Sequence, residues 1–331
     1  MLNLAKEGLY CRAGDFFIDP RRGVKDAVIT HAHADHARRG SETYHVVKSG
    51  VDLLLARLGR KINVRAYDYG EVFELGAARV SFHPAGHILG SCQVRIEVGG
   101  EVWVASGDYK READPTCEPF EVVKCDVFVT EATFGTPAYR WPKQADLGGQ
   151  IMEWWRRNAA RGENSVLFGY SLGKTQRILG ELSDLSERPI YCHDAAAEIN
   201  LAYRRQGIAL AETICLSGVD ESTRLEGELI LAPQAFLKSP QAVILGNRFR
   251  TAFASGWMAG GRAFGYDTGF VMSDHADWDD LVRTCVETGA KRIYVQHRGA
   301  GALVRHLREL GIKAYPEEEL TLQNPDQMAF F

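Results

Sequence analysis

Metal-binding chemistry is the first function that the residue types indicate, because three histidines and one aspartate fall within six residues: His31-Ala32-His33-Ala34-Asp35-His36. The segment directly follows an apolar run at residues 27–30 that has the character of a β-strand. Neutral imidazoles and carboxylates are ligands of Zn²⁺ and related divalent ions. In an extended backbone His31 and His33 share one side and can chelate one ion. Asp35 and His36 enter the following turn and can serve a second ion.

Additional candidate ligands stand at the junctions of predicted strands with loops. They are His87 in the sequence GHILG, Asp108 in SGDY and His297 directly after RIYVQ. Rigid strands can present such side chains to a common rim. Each is weak evidence by itself, because polar residues at strand ends are often turn residues or caps. Together with the hexapeptide they supply enough ligands for two metal ions and a bridging carboxylate.

The strands that must position these ligands are short β-branched or aromatic runs, at residues 15–19, 27–30, 79–83, 93–98 and 101–105. Gly99-Gly100 predicts a hairpin with a two-residue turn between the last two runs. Residues 51–58 have helical spacing and predict a helix that packs on this sheet. From about residue 146, helical and strand-like segments alternate, which predicts an α/β region with a parallel sheet.

Composition bounds the remaining possibilities. The chain has 331 residues with 45% hydrophobic and 25% charged residues, and its formal net charge is −4, so no overall basicity indicates a polyanionic partner. No stretch approaches 18 uninterrupted apolar residues and no secretory leader is recognisable. The seven cysteines are scattered and form no C-x-x-C pair. We therefore expect a cytoplasmic protein with reduced thiols and no membrane partner.

Three of these motifs, THAHADH, GHILG and SGDY, resemble the successive metal-binding motifs of the metallo-β-lactamase fold. GHILGS followed by SGDYKR and TEATFG resembles the nucleic-acid-processing branch of that fold, the β-CASP nucleases. The resemblance implies an α/β protein, a four-layer αββα sandwich with an inserted α/β β-CASP domain. The implied domains are residues 1–140 and 263–331 for the metallo-β-lactamase domain and residues 141–262 for the β-CASP domain.

The resemblance also implies a ligand set for two divalent ions, zinc or alternatively manganese. One ion is assigned to His31, His33 and His87, the other to Asp35, His36 and His297, with Asp108 as the bridge. Asp26 would match the family's first acidic motif and support the metal loop, although a surface aspartate at a strand start is nearly as good an interpretation.

The β-CASP branch has three further motif positions: an acid, a histidine and a variable third residue. They are matched by Glu131 in TEATFG, His275 in SDHAD and His297. Two divalent ions suit hydrolysis at phosphorus by a two-metal hydroxide mechanism. A histidine outside the metal shell, oriented by a carboxylate, is the natural proton donor for the leaving oxygen. The predicted catalytic residues are therefore Asp35, His275 and Glu131.

Substrate-binding residues are predicted less directly. The segment SLGKTQR resembles the family's phosphate-facing helix start, although a nucleotide-binding P-loop is excluded because its first glycine would fall on Phe168. An ordinary helix start is the alternative interpretation. The predicted substrate-binding residues are Ser171, Lys174, Arg140 and Arg298.

The resemblance is greatest to bacterial DNA ligase-associated exonucleases, which implies a DNA exonuclease in DNA repair with ligase and helicase partners. A histidine at the position of His297 is instead typical of the RNA-processing members, so a ribonuclease is the first alternative. Another alternative is a thioester or lactone hydrolase of the same fold. The last alternative is a nucleic-acid-binding subunit without catalytic activity.

Overall fold

The computed structural model describes residues 1–142, 146–220, 222–261, 265–297 and 300–321. The first part of the chain forms β1 (Leu2–Ala5), β2 (Gly8–Cys11), β3 (Phe16–Ile18), β4 (Asp26–Val28), β5 (Thr43–Val47), α1 (Val51–Leu58), β6 (Val64–Tyr67), β7 (Val72–Leu75), β8 (Ala78–Pro84), β9 (Cys92–Val98), β10 (Glu101–Ala105) and β11 (Val127–Thr130). The middle part forms α2 (Leu147–Ala159), β12 (Asn164–Phe168), α3 (Lys174–Glu181), β13 (Ile190–Cys192), α4 (Ala197–Arg205), β14 (Thr213–Cys215), β15 (Leu229–Ala232), β16 (Phe249–Ser255) and β17 (Thr268–Val271). The last part forms α5 (Trp278–Glu287), β18 (Arg292–Val295), α6 (Ala300–Glu309) and β19 (Lys313–Pro316).

The chain divides into two compact units that are discontinuous in sequence. Unit 1 consists of Met1–Ala113, Glu118–Pro137 and the segment from His275 onward. Unit 2 consists of Asp114–Cys117 and Ala138–Asp274. The mixed α/β class that the sequence predicts is confirmed.

Unit 1 contains two mixed sheets that face each other. One has the order β1-β2-β3-β4-β5-β6 and the other the order β19-β18-β11-β10-β9-β8-β7. Side chains from both sheets, among them Val28, Phe82 and Trp103, form a shared buried core. Because side chains alternate along a strand, the neighbours of these residues point outward, where α1 covers the first sheet and α5 and α6 cover the second. Unit 1 is thus layered as helix, sheet, sheet and helices.

The helix, the hairpin and the strands predicted in unit 1 are confirmed, and the differences lie at the ends of strands. Helix α1 has the predicted bounds, and β9 and β10 pair across Gly99-Gly100 with Val98 opposite Glu101. The largest of these differences is in β4, where the apolar run predicts a strand through residue 30 and the strand ends at Val28. Thr30 already belongs to the next loop because its amide and hydroxyl both donate to the Asp19 carboxylate.

Unit 2 is built on a parallel sheet with the order β14-β13-β15-β12-β16-β17. Helices α2 and α3 pack on one face through apolar side chains that include Trp154, Trp155 and Leu179. The other face is covered by loop and 3₁₀ segments, with Phe236 and Leu245 in its core. The two tryptophans of α2 are therefore buried in the core of unit 2.

No helix in the described ranges has both the length and the apolar composition needed to cross a bilayer.

Candidate metal centre

The loop that carries the first histidines is held by Asp19, which lies just after β3. Its Oδ1 accepts a hydrogen bond from the Thr30 amide at 2.8 Å and its Oδ2 accepts one from the Thr30 hydroxyl at 2.5 Å. The same Oδ2 lies 2.7 Å from Nδ1 of His36. Asp19 itself has a φ of 45°, in the left-handed region that aspartate tolerates better than most residues. One carboxylate thus fixes both ends of the histidine loop.

Two further contacts hold the middle of this loop against unit 1. The Arg57 guanidinium donates to the carbonyl oxygen of Ala32 at 2.6 Å, and the Cys92 amide donates to the carbonyl oxygen of Thr30 at 2.8 Å. The histidine loop therefore rests on α1 from one side and on β9 from the other.

The loop that carries His87 is shaped by glycines. Gly86 has a φ of 72°, and a Cβ there would lie 2.3 Å from the carbonyl oxygen of Lys110. Gly90 has a φ of 70°, and a Cβ there would lie 2.3 Å from the Cα of Gly50. The Ser91 hydroxyl accepts hydrogen bonds from the His87 amide at 3.1 Å and from the amide that follows it at 3.2 Å. Only glycine fits these two positions, so this loop holds His87 in one place.

Asp108 reaches the histidines because the chain turns tightly after β10. Gly107 has a φ of 56°, and a Cβ at this position would lie 2.7 Å from the Cβ of Thr30. This close approach brings the SGDY loop against the histidine loop.

Three ring nitrogens converge on one point. Nδ1 of His33 lies 3.1 Å from Nε2 of His31 and 3.1 Å from Nε2 of His87. Together with a carboxylate oxygen of Asp108, these ligand atoms all lie within 4.8 Å of one another. The structure thus brings together four residues that lie as far as 77 positions apart in sequence.

Asp108 lies at the centre of a larger ring of histidines. Its Oδ2 is 3.4 Å from Nε2 of His36, 3.6 Å from Nε2 of His31, 3.8 Å from Nε2 of His87 and 3.9 Å from Nδ1 of His275. Its Oδ1 is buried and has no hydrogen-bond partner in the described part of the chain. A buried carboxylate oxygen without a donor is costly unless a cation compensates it.

Electrostatics set the protonation states that metal ligands need. Burial lowers the pKa of His31 well below its ordinary value, and the imidazoles of His36 and His87 add to this effect. Burial disfavours the charged form of Asp108 as well, but His36 and His275 outweigh it and hold the pKa of Asp108 well below its usual range. At neutral pH His31 is therefore a neutral imidazole and Asp108 a carboxylate, which are their ligating forms.

His36 differs from His31 in its electrostatic surroundings. Burial opposes its protonation, but the carboxylates of Asp108 and Asp19 outweigh burial and raise the pKa of His36 well above its ordinary value. Without a metal ion, His36 thus serves as the cation that balances two carboxylates.

The donor set fits a divalent metal ion on the observations above. Imidazole nitrogens and carboxylate oxygens are both ligands of zinc, and four donors match its usual coordination number. The unpartnered Oδ1 of Asp108 leaves that carboxylate free to take a second ion, as a bridging ligand does. The residues that would hold the first ion are His31, His33, His87 and Asp108.

The residues expected to hold a second ion converge less closely. Oδ2 of Asp35 lies 3.8 Å from Nε2 of His36, and 76% of the Asp35 side chain is exposed. His297 is also exposed, and its Nδ1 accepts a hydrogen bond from the Ala132 amide at 3.3 Å. Neither Asp35, His36 nor His297 belongs to the compact ligand groups found among the described residues. The metal-ligand roles of Asp35, His36 and His297 therefore stay predictions.

The predicted catalytic pair lies beside the candidate metal ligands. Nδ1 of His275 is 3.0 Å from Oε2 and 3.2 Å from Oε1 of Glu131. Glu131 is buried and also accepts hydrogen bonds from the Tyr109 amide at 2.6 Å and the Thr133 amide at 3.3 Å. The carboxylate is therefore held by the backbone while it orients the imidazole.

The predicted substrate residues lie in unit 2 or outside the described residues. Lys174 begins α3 as predicted, but its ammonium group is buried and donates to Oδ1 of Asp274. Ser171 accepts a hydrogen bond from the Gln176 side chain at its carbonyl oxygen, and Arg140 is exposed. Arg298 lies outside the described residues.

Asp26 does not support the metal loop as expected. Its Oδ1 lies 3.0 Å from Nε2 of the buried His45, whose Nδ1 lies 3.0 Å from the Tyr67 hydroxyl. The contacts that support the histidine loop come from Asp19 instead. The sequence holds a signal for this, since Asp19 directly follows the apolar strand β3 and precedes a proline.

No family model matches the sequence. A protein named "Probable DNA ligase" from Opitutus terrae is 32% identical over 315 residues, which cover 93% of this chain and 30% of that protein. "Endoribonuclease YSH1" from Yarrowia lipolytica is 32% identical over 146 residues, covering 41% of this chain and 17% of that protein. "Endoribonuclease ysh1" from Schizosaccharomyces pombe is 34% identical over 150 residues, which cover 42% of this chain and 19% of that protein. The chain thus spans less than a third of each of these relatives.

Among solved structures, a protein of unknown function from Enterococcus faecalis V583 has a similar fold. The TM-score is 0.59 at 13% sequence identity, and the match covers 88% of this chain and 79% of that one. The fold of this chain therefore exists in a protein with little sequence in common.

Replacing Asp19 by asparagine is expected to lower the affinity for divalent metal by about 10- to 100-fold, the usual effect of removing a carboxylate that orients a metal-binding histidine. The physical reason is that His36 and Thr30 lose their shared acceptor. Metal affinity is measured by competition with a chromophoric zinc chelator. The matched control is Asp26→Asn, which is expected to leave the affinity within about twofold, and equal effects of the two variants would contradict the assignment to Asp19.

Proposed function

We propose that this chain is a metal-dependent nuclease of the β-CASP branch of the metallo-β-lactamase fold. Its reaction would be hydrolysis of phosphodiester bonds in nucleic acid. The observation that carries the proposal is the Asp108 carboxylate surrounded by imidazoles from separate loops, with the His275–Glu131 pair beside it. The relatives named for a DNA ligase and for endoribonucleases support an activity on nucleic acid.

The two units fit this assignment. We assign the layered unit 1 to the metallo-β-lactamase domain and the parallel α/β unit 2 to the inserted β-CASP domain. The insertion explains why Glu131 and His275 belong to one unit although the whole of α2 through β17 separates them in sequence.

Metal ions, zinc or alternatively manganese, would be held by the histidine loop, His87 and Asp108, with Asp35, His36 and His297 as the proposed ligands of a second ion. When bound, such ions supply positive charge for the phosphoryl oxygens and lower the pKa of water. Asp19, Arg57 and Ser91 hold the ligand-bearing loops in place. The protein therefore contributes a site whose geometry is set before substrate arrives.

His275 is the proposed proton donor for the leaving oxygen. Glu131 faces its Nδ1 and orients the ring, and Nε2 would deliver the proton to the leaving oxygen. Because the Tyr109 and Thr133 amides hold the Glu131 carboxylate, the imidazole has a fixed orientation. General acid catalysis by a positioned histidine typically contributes about 10²- to 10⁴-fold.

DNA is the proposed polymer and exonuclease action the proposed mode. The match to the ligase-named relative covers 93% of this chain, whereas the match to the Yarrowia endoribonuclease covers 41%. Resemblance to ligase-associated exonucleases adds DNA repair, with a ligase and a helicase as partners in the cytoplasm. RNA cleavage is the second candidate function, which the matches to the endoribonucleases favour.

The experiment that tests the proposal is a time course on end-labelled single-stranded DNA and RNA of one sequence, with Zn²⁺ or Mn²⁺ added. The expected result is metal-dependent shortening of DNA from one end. Preferential cleavage of RNA would transfer the protein to the RNA-processing branch. Cleavage of neither polymer, together with hydrolysis of a lactone or thioester, would contradict the nuclease assignment.

His275→Ala is expected to slow hydrolysis of an oligonucleotide by about 10²- to 10⁴-fold. The same variant should hydrolyse bis(4-nitrophenyl) phosphate at a rate close to that of the wild type, because 4-nitrophenolate leaves without a proton. Initial rates on both substrates are compared, with bound metal measured in each preparation. Equal losses on the two substrates at unchanged metal content would assign His275 to phosphate binding instead of proton donation.

A further inference from the structure

The carboxyl edge of the parallel sheet in unit 2 contains a point where the chain turns to opposite sides. Strands β12 and β16 are neighbours, with Phe168 opposite Phe253. After β12 the chain leads through α3 to β13 on one side, and after β16 it leads to β17 on the other. In open α/β sheets, ligands bind in the crevice that forms outside the carboxyl ends of strands at such a switch point.

Each of the two loops at this switch point carries an exposed aromatic ring. Tyr170 follows β12 and is 66% exposed, and Trp257 follows β16 and is 45% exposed. In the part of the chain that the structure describes, the exposed large apolar side chains are aliphatic except for Tyr170 and Trp257. Their placement on adjacent loops at one sheet edge is therefore a distinct feature of this surface.

Both rings stand on fixed backbone. The carbonyl oxygen of Tyr170 accepts hydrogen bonds from the Thr175 amide at 3.1 Å and the Thr175 hydroxyl at 2.9 Å. The Trp257 amide donates to the Ser255 hydroxyl at 3.3 Å, and the next residue, Met258, is buried. A rigidly presented ring loses little conformational entropy when a ligand stacks on it.

The surroundings of the two rings include one buried and one exposed cationic side chain. The Lys174 ammonium lies 5.4 Å from the centroid of the Tyr170 ring, but it is buried and paired with Asp274, so it supports the ring and leaves the phosphates of a bound strand to other groups. Tyr139 packs nearly perpendicular to Trp257 with ring centroids 5.2 Å apart, and the side chain of the next residue, Arg140, is exposed. Aromatic rings combined with positive charge are typical of surfaces that bind single-stranded nucleic acid, where bases stack and phosphates meet cations.

We propose that Tyr170, just after β12, and Trp257, just after β16, form a base-stacking site that receives bases of a single-stranded nucleic acid. The inference rests on the proposed nuclease function and deepens it, because it names an unpaired strand as the polymer that unit 2 binds. Stacking on aromatic rings is tolerant of sequence, since every base has an aromatic face. The site therefore favours unpaired bases over paired ones and has no preference for one base over another.

The test measures binding of a fluorescently labelled, hydrolysis-resistant phosphorothioate oligothymidylate to the metal-loaded protein by fluorescence anisotropy. Trp257→Ala and Tyr170→Ala are each expected to raise Kd by roughly 5- to 150-fold, the effect of losing one stacked base. Trp257→Phe and Tyr170→Phe keep an aromatic face and should bind close to wild type. Val243→Ala removes an exposed apolar side chain elsewhere in unit 2 and is the matched control.

An abasic oligonucleotide of equal length separates stacking from charge. Its affinity for the wild type should be lower than that of oligothymidylate and unchanged by the two alanine substitutions. Alanine variants that bind oligothymidylate as the wild type does would overturn the inference, even if the protein cleaves DNA. If the protein cleaves no nucleic acid but the alanine variants still weaken binding, the stacking site is supported and the proposed nuclease function fails.

Discussion

Asp108→Asn is expected to lower the rate of phosphodiester hydrolysis by at least about a thousandfold, with loss of bound metal. Asp108 provides the carboxylate that faces His31, His36, His87 and His275 at 3.4–3.9 Å. An asparagine keeps the shape but removes the negative charge that balances these groups and the ions they would hold. Charge stabilisation by metal is worth several kcal/mol, and each 1.4 kcal/mol corresponds to about tenfold in rate. Hydrolysis of bis(4-nitrophenyl) phosphate and metal content by mass spectrometry measure the two effects.

The matched control is Asp184→Asn, the same chemical change at an exposed position in unit 2. It should leave both rate and metal content unchanged. Retention of metal and of more than about a tenth of the activity in Asp108→Asn would exclude Asp108 as a bridging ligand.

Lys174→Met is expected to lower the free energy of unfolding by about 3–5 kcal/mol, because it leaves the Asp274 carboxylate buried without its cation. Both side chains are buried, and the Lys174 ammonium donates to Asp274. From the next turn of α3, the Arg177 guanidinium donates to the carbonyl oxygen of Ser273 at 2.7 Å. Helix α3 therefore holds the end of unit 2 directly before the chain continues to His275. Urea unfolding monitored by tryptophan fluorescence measures the change.

A double variant tests whether the loss comes from the ion pair. Lys174→Met combined with Asp274→Leu removes both charges and should be more stable than the single variant, since an apolar pair can replace a buried ion pair. Lys238→Met, at an exposed lysine of unit 2, is the control and should change stability little. A Lys174→Met variant with wild-type stability but weaker oligonucleotide binding would restore the phosphate-binding role that the sequence predicts.

Short-range patterns account for the predictions that the structure confirms. Helix α1 and the hairpin at Gly99-Gly100 depend on spacing and turn chemistry within about ten residues, which any single sequence displays. The candidate metal ligands on the histidine loop are adjacent in sequence, so their chemistry is visible before their geometry is known. Strand-end positions for His87 and Asp108 follow from the same local signals.

Other features depend on contacts between distant segments and could not be read from local pattern. Asp19 and Asp26 each border a strand of the same sheet, and only the register of β3 against β4 decides which of them faces Thr30 and His36. The sequence shows a lysine at a helix start, but the buried partner of Lys174 lies 100 residues later. Likewise, the stacking surface depends on the strand order of unit 2, which makes β12 and β16 neighbours.

The residue types and their local order are enough to predict a set of histidines and carboxylates suited to divalent metal, carried on loops that follow strands. They also predict the mixed α/β class, since hydrophobic periodicity and glycine placement are local properties. The folded chain is needed to show which carboxylates hold the loops, which lysine forms a buried ion pair and which aromatic rings reach the surface. Burial, pairing and desolvation depend on side chains that meet only when the sheets form.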